Sequence, residues 1–192
     1  RQSSTLLGQP VADDDDMLLV RSCDAPYFKN HTGDIGIYAY KEMLEQPQSI
    51  RRTLEETDSQ IQSLAARYAR EIHQVLLIGC GDPFMLGQAA VYALENWAGV
   101  KAEAIEAAEF SLYRHTTLDA RTLVIAITSS GKTVKAVDAA RLARRCGAKT
   151  LALTNLVPSP ICEEVDEVIQ TRSTPSNAFP TLTTTIALAA LY

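Results

Sequence analysis

The chain has 192 residues, 46% of them apolar, which is enough for one substantial core with an irregular arm besides. Its net charge of −5, from 23 acidic and 18 basic side chains, sets the overall field against a polyanion, so no nucleic-acid partner is expected. No run approaches the roughly 18 consecutive apolar residues that a bilayer span needs, and no charged leader precedes an apolar stretch, so no membrane partner is expected and a cytoplasmic location is.

Residues 1–39 show no sustained periodicity, carry the acidic run Asp13-Asp14-Asp15-Asp16, and hold turn formers at Asn30, Gly33, Asp34 and Gly36; they read as an arm or linker. Consecutive aspartates lack the alternating ligand spacing and turn glycine of a calcium loop, so the run reads as a solvated charge cluster. From Pro47 the pattern becomes helical, with Ile50, Leu54, Thr57, Ile61, Leu64, Ala65 and Tyr68 at spacings of three and four. Pro47 suits the first turn of that helix, where its missing N–H has no partner to lose.

The remainder alternates strand and helix. Val75-Leu76-Leu77-Ile78 is the all-apolar run of a central parallel strand, ending in the turn Gly79-Cys80-Gly81. The following helix carries Leu86, Ala90, Ala93, Leu94 and Trp97 on one stripe and is closed by Gly99. Val100 to Ala107 and Thr122 to Ile127 fit the second and third strands. A helix from about Thr133 places Val134, Val137 and Leu142 inward and ends near Arg141, Arg144 and Arg145, whose charge complements the dipole, with Gly147 as the stop. Lys149 to Thr154 makes the fourth strand and Glu167 to Thr171 the fifth. Five strands separated by helices predict an α/β fold, a five-stranded parallel sheet wound on both faces, with the N-terminal arm and a long helix in front of it. In the order 2-1-3-4-5, the winding direction reverses between strands 1 and 3 and opens a crevice at their carboxyl ends.

Two loops leave those ends. Thr128-Ser129-Ser130-Gly131-Lys132-Thr133 joins four hydroxyls, a glycine that lets backbone come close, and a lysine at a strand-to-helix junction, where free amides and the helix dipole favour an anion. Capping of the next helix alone needs a single Ser or Thr, so phosphate binding is the stronger reading. The nucleotide P-loop pattern is incomplete, because its first glycine would fall at Ala126 inside the strand. A dinucleotide fingerprint at Gly79-Cys80-Gly81 fails at Phe84, which occupies the third glycine position, so no cofactor is expected. Cys23, Cys80, Cys146 and Cys162 form no CxxC pair and His31, His73 and His115 are dispersed, so no metal site is expected, and Cys146 and Cys162 read as small core residues.

Gly79-Cys80-Gly81-Asp82-Pro83-Phe84 and Thr128 to Thr133, at this separation, resemble the two ligand loops of SIS (sugar isomerase) domains. With Gly33 to Tyr38, Glu45-Gln46-Pro47, Ala108-Glu109-Phe110, Tyr113-Arg114 and Ser176-Asn177-Ala178-Phe179 in the same order, the chain is similar to the isomerase portion of glucosamine-6-phosphate synthases over residues 31–192. The resemblance implies that Thr128, Ser129, Ser130, Gly131, Lys132 and Thr133 hold a sugar phosphate, that Gly81, Asp82 and Pro83 line the opposite wall, and that Ser176 approaches the sugar. It implies a hydrogen-bonding, structural role for Glu109. It divides the chain into an arm at 1–39 and an SIS domain at 40–192, the first of a pair. It also implies a homodimer and a small-molecule partner of the fructose 6-phosphate or amino-sugar phosphate class.

Asp82-Pro83 replaces the family's usual Thr-Ser. One such carboxylate ~4 Å from a phosphate oxygen, at an effective dielectric of ~20, costs about 4 kcal/mol unless offset. Lys132, where the synthases usually carry Glu, offers the offset and gives some likeness to fructosamine-phosphate deglycases. The resemblance therefore predicts a sugar-phosphate-binding domain of an isomerase, aminotransferase or deglycase, with a non-catalytic sugar-phosphate sensor as the alternative. It assigns no catalytic base here, and a start at Arg1 with a stop inside the apolar run Ile186 to Leu191 is expected of a piece of a longer chain.

Overall fold

The computed structural model describes residues 5–6, 9–10 and 34–173, with side chains from 44 onward. Two residues of the arm, Thr5–Leu6, pair antiparallel with Gln9–Pro10. The acidic run Asp13 to Asp16, Cys23, His31 and Ser176 lie outside the described residues.

Helix α1 spans Asp34–Glu71. It starts well before the expected Pro47 and runs past it, so residues 34–39 are helix and not linker. An interior proline forfeits one backbone bond and crowds the preceding turn, yet the helix continues through it. The buried stripe also differs from the apolar one read in the sequence. Ser49, Thr53 and Thr57 are buried with Leu64 and Tyr68, whereas Leu54 and Ala65 are exposed. Polar atoms on this stripe are satisfied: Thr57 Oγ1 donates to Thr53 O at 2.7 Å, and Thr53 Oγ1 accepts from Arg172 N at 2.9 Å. Burying a hydroxyl is tolerable when it is hydrogen-bonded, and here the bond ties α1 to the chain leaving the last strand.

The strands are β1 (Gln74–Gly79), β2 (Lys101–Glu106), β3 (Thr122–Thr128), β4 (Lys149–Thr154) and β5 (Glu167–Gln170). All neighbours pair in parallel, in the order β2-β1-β3-β4-β5. The central strands are covered on both sides, and every residue of β3 is buried. Alternation along the strands feeds two cores. Val75, Leu77, Leu123, Ile125 and Ile127 pack with α2 (Asp82–Ala93) and the end of α1, while Leu76, Ile78, Val124 and Ala126 pack with α3 (Val134–Arg145).

Two helix faces depart from expectation. Trp97 is exposed, because α2 gives way at Leu94–Ala98 to a wider turn that is closed by Gly99 in the left-handed conformation. On α3, Val137 is buried but Val134 is exposed and Leu142 half-buried; the inward positions are Ala136, Ala139, Ala140 and Ala143. These small side chains admit close approach of the helix to the sheet. Cys162 packs partly buried against that core, and Cys146 is half-exposed. After β2 the chain makes a short helical turn, Ala107–Glu109, and a wider one, Phe110–Arg114, with Phe110 fully buried. A last short helix, α4 (Pro160–Glu163), precedes β5.

Candidate functional site

The turn at 79–83 and the loop at 128–133 both leave the carboxyl edge of the sheet, from strands that pair with each other. That is the reversal point at which ligands of doubly wound sheets bind.

In the β3 loop, Thr128 is buried and its Oγ1 lies 3.1 Å from Thr133 Oγ1. Thr133 is the residue before α3 but makes no side-chain bond to the helix amides. Its hydroxyl is held by Thr128, so the first turn of α3 keeps its amide donors for another acceptor. Capping alone does not describe this loop. Ser130 Oγ accepts from Lys132 N at 3.2 Å. Lys132 is exposed and Ser129 and Ser130 half-buried. The carbonyls on the other side are occupied: Ser129 O accepts from Asn155 N at 3.1 Å and Gly131 O from Ile161 N at 3.0 Å. Gly131 sits at φ 64°, and a Cβ there would collide with Ser159, 2.5 Å from its Cβ. Glycine is thus required by conformation and by space, and the loop is pinned to the start of α4.

The facing turn is equally tight. A Cβ on Gly79 would meet the Pro83 backbone at 2.7 Å, and Gly81 has φ 63° and ψ −126°. Asp82 opens α2 as an exposed carboxylate beside half-buried Pro83. Asn155, which joins the two halves of this edge, was not singled out by sequence reasoning. Its Oδ1 accepts from Thr171 Oγ1, Ser173 N and Ser173 Oγ, each at 3.0 Å, so the segment leading toward Ser176 is anchored beside Ser129.

Glu106 was also missed. It ends β2 opposite Gly79, and its Oε2 accepts from Ala108 N at 2.7 Å and Glu109 N at 3.3 Å. Burial works to raise its carboxyl, but hydrogen bonds from the Cys80 thiol and the following amides outweigh that and hold it below the ordinary carboxylate value. The Cys80 thiol is pushed up to about 11, first by burial and then by the bond to Glu106. Glu109, read as the structural acid, is exposed and contributes its amide instead. A polar residue at a strand end gives little sequence signal, because its partner is set by sheet register.

At this edge the tuned groups are a neutral thiol and a fixed carboxylate, a pair suited to orientation and not to proton transfer near neutral pH. Among the described residues no cluster of His, Cys, Asp and Glu is fit to hold a metal. A cavity of about 470 Å³, lined by Arg67, Tyr68, Arg144, Lys149, Asp166 and Glu167, lies at the opposite, amino-end edge. Its charges are largely paired, Arg67 with Glu167 and Arg144 with Asp166, and it is separate from the loops.

A five-stranded parallel sheet with a hydroxyl-rich loop at its reversal point, in front of a helix without a side-chain cap, defines a doubly wound α/β domain. Residues 69–192 match the SIS domain family, and the chain belongs to it. It is 37% identical over 149 residues to the glutamine–fructose-6-phosphate aminotransferase of Mycolicibacterium paratuberculosis, covering 74% of this chain and 24% of that protein. The chain thus spans about a quarter of that relative's length. Among solved structures it is similar to the C-terminal domain of glucosamine-fructose-6-phosphate aminotransferase from Francisella tularensis, with TM-score 0.66 and 22% identity, covering 80% of this chain and 45% of that one. It is also similar to the Vibrio vulnificus NanR protein complexed with ManNAc-6P, with TM-score 0.68 and 21% identity, covering 84% and 60%. Among the described residues no helix is long and apolar enough to cross a membrane.

Proposed function

We propose that this chain is the sugar-phosphate-binding domain of an enzyme that isomerises, aminates or deglycates a ketose or amino-sugar phosphate. The observation that carries the reading is Thr133: a helix-capping residue whose hydroxyl is taken by Thr128, leaving the first turn of α3 open to an anion. The phosphate sits on Thr128, Ser129, Ser130, Gly131, Lys132 and Thr133, with Gly81, Asp82 and Pro83 as the sugar-side wall and Ser176 approaching the sugar. Lys132, exposed beside the loop, offsets Asp82, and the Asp82 carboxylate offers a partner for the hydroxyls or ammonium of an amino sugar. The likeness to an aminotransferase and to a fold neighbour that carries ManNAc-6P supports this ligand class.

The same reading takes residues 40–192 as one SIS lobe of a pair, preceded by an arm. Proton transfer is assigned to residues outside this lobe, since among the described residues the shifted groups at the carboxyl edge are a neutral thiol and an ionised carboxylate. Leu44 and Leu54, exposed on α1, supply apolar surface for a homodimer, and the free thiols of Cys80, Cys146 and Cys162 agree with a reducing, cytoplasmic setting. Light scattering of the chain at several concentrations tests the dimer.

Titration calorimetry with fructose 6-phosphate and glucosamine 6-phosphate tests the ligand class, with Thr133→Ala as the comparison. Binding that Thr133→Ala weakens by roughly tenfold is expected, as for loss of a hydrogen bond to a charged group. Heat from neither sugar phosphate, or binding that Thr133→Ala leaves unchanged, overturns the reading. Binding by the full-length protein without turnover would identify a sensor.

A further inference from the structure

We infer that Asn155 is a positioning residue for the sugar end of the site: its side-chain amide stands in for a missing rung of the sheet and aims the chain that leaves β5 toward Ser176. The inference rests on the reading of Thr128 to Thr133 as the phosphate loop and of Ser176 as a sugar contact.

β4 and β5 stay in register as far as Thr154 and Gln170, and the last backbone bond between them runs from Thr171 N to Thr154 O at 2.9 Å. Alternate residues of a strand bond to the same neighbour, so Ser173 N is the next amide along this chain to need an acceptor on the β4 side. The backbone of β4 does not supply it, because the strand ends at Thr154 and Asn155 N turns the other way, to Ser129 O at 3.1 Å. The Asn155 side chain takes the place: Oδ1 accepts from Ser173 N at 3.0 Å and Nδ2 donates to Ser173 O at 3.1 Å. A carboxamide carries the same kinds of donor and acceptor as a peptide group, and Asn155 is only 5% exposed, so the pairing is sheltered from water. Thr171 Oγ1 and Ser173 Oγ bond to the same Oδ1, each at 3.0 Å. On the other side, Arg172 N donates to Thr53 Oγ1 of α1 at 2.9 Å.

Asn155 thus serves the two ends of the site with different groups. Its backbone N–H holds Ser129 in the phosphate loop, and a side-chain substitution leaves that bond in place. Its carboxamide holds Thr171 and Ser173, just before Ser176 in the chain. Aspartate keeps Oδ1 but sets a carboxylate oxygen against Ser173 O, and alanine offers neither group. Either change leaves a half-buried peptide group at Ser173 without its full pairing, which folded backbones avoid. Loss of the carboxamide should therefore loosen the sugar's contact and leave the phosphate's cradle intact.

The test uses the full 192-residue chain and two probes, inorganic phosphate and glucosamine 6-phosphate, whose dissociation constants are measured by NMR titration. Asn155→Asp and Asn155→Ala are expected to weaken glucosamine 6-phosphate by roughly five- to tenfold while inorganic phosphate changes less than about twofold, in line with loss of a hydrogen bond on the sugar side alone. Ser173→Ala, which removes the hydroxyl and keeps the N–H and C=O that the carboxamide pairs, should leave both affinities nearly unchanged. A loss in Ser173→Ala equal to that in Asn155→Asp would make the hydroxyl responsible instead of the rung and overturn the inference. Equal weakening of both probes in the Asn155 variants, or loss of the folded circular dichroism spectrum in both of them, would make Asn155 a general structural residue and overturn it as well. Unchanged affinities in the Asn155 variants, with both probes bound by the unaltered chain, would overturn it alone. Binding of neither probe by the unaltered chain would instead overturn the phosphate-loop reading, and the inference with it.

Discussion

Replacing Gly131 by alanine tests whether the β3 loop is held as tightly as its contacts imply. Gly131 has φ 64°, and a left-handed backbone costs an ordinary residue about 1–2 kcal/mol. The added Cβ would also stand 2.5 Å from Ser159 Cβ and 3.1 Å from Ile161 Cγ2. Overpacking of this kind costs about 1–3 kcal/mol more, so Gly131→Ala should lose about 2–5 kcal/mol in total. Gly147 is the control. It has φ 86° with nothing within 4 Å of a Cβ, so Gly147→Ala carries the backbone part alone. Urea unfolding monitored by the Trp97 fluorescence and by circular dichroism measures both. Adding Ser159→Gly to Gly131→Ala should recover much of the steric part, less what the lost Ser159–Cys162 bond contributes. A Gly131→Ala variant no less stable than Gly147→Ala would refute the reasoning.

Phe110→Ala should destabilise by about 3–5 kcal/mol, since the ring is fully buried in the α3-side core, and the same urea assay reads it. Cys80, with its thiol pushed up to about 11 from 9.0, should carry roughly a hundredfold less thiolate than an unperturbed cysteine at pH 8. Mass spectrometry after brief iodoacetamide treatment should find Cys146 alkylated well before Cys80, and the reverse order would contradict the burial and hydrogen bond assigned to it. Glu106 has its carboxyl lowered in the folded state, so its contribution to stability is present above the ordinary carboxylate value and is lost as pH falls through the lowered one. The stability gap between the native chain and Glu106→Gln should therefore close on acidification; a gap that widens would refute the assignment.

The sheet was legible because its strands are short apolar runs whose order follows from parallel crossover rules: Lys149–Thr154 matches residue for residue, and the other strands differ by one residue at one or both ends. The two loops at the carboxyl edge, Gly79-Cys80-Gly81 and Thr128 to Thr133, stood out because their composition departs from what a plain turn needs, and the structure places both on adjacent strands. The helix faces were not. Hydrophobic spacing favoured Leu54, Trp97 and Val134, but the faces that pack are lined by Thr53, Ala136 and Ala140, whose smallness or satisfied hydroxyl matters more than their hydrophobicity. Pro47 misled because the rule for first-turn prolines is a preference, and α1 passes through it. Glu106 and Asn155 were invisible for a different reason. Asn155 joins segments distant in sequence that only the fold brings together, and Glu106 holds the amides of the turn after its own strand, a role that composition and spacing do not reveal.

The row of alanines on the inner side of α3 reaches beyond packing. A helix seated on methyl groups rests low on the sheet, and its height sets how far its leading amides stand from the mouth where Thr128 ends. Bulk added at Ala140, remote from the loop, would lift the whole rod and the amides at its head, so if Thr128 to Thr133 hold a phosphate as proposed, its affinity should be retuned from the floor of the molecule without touching a single contacting residue.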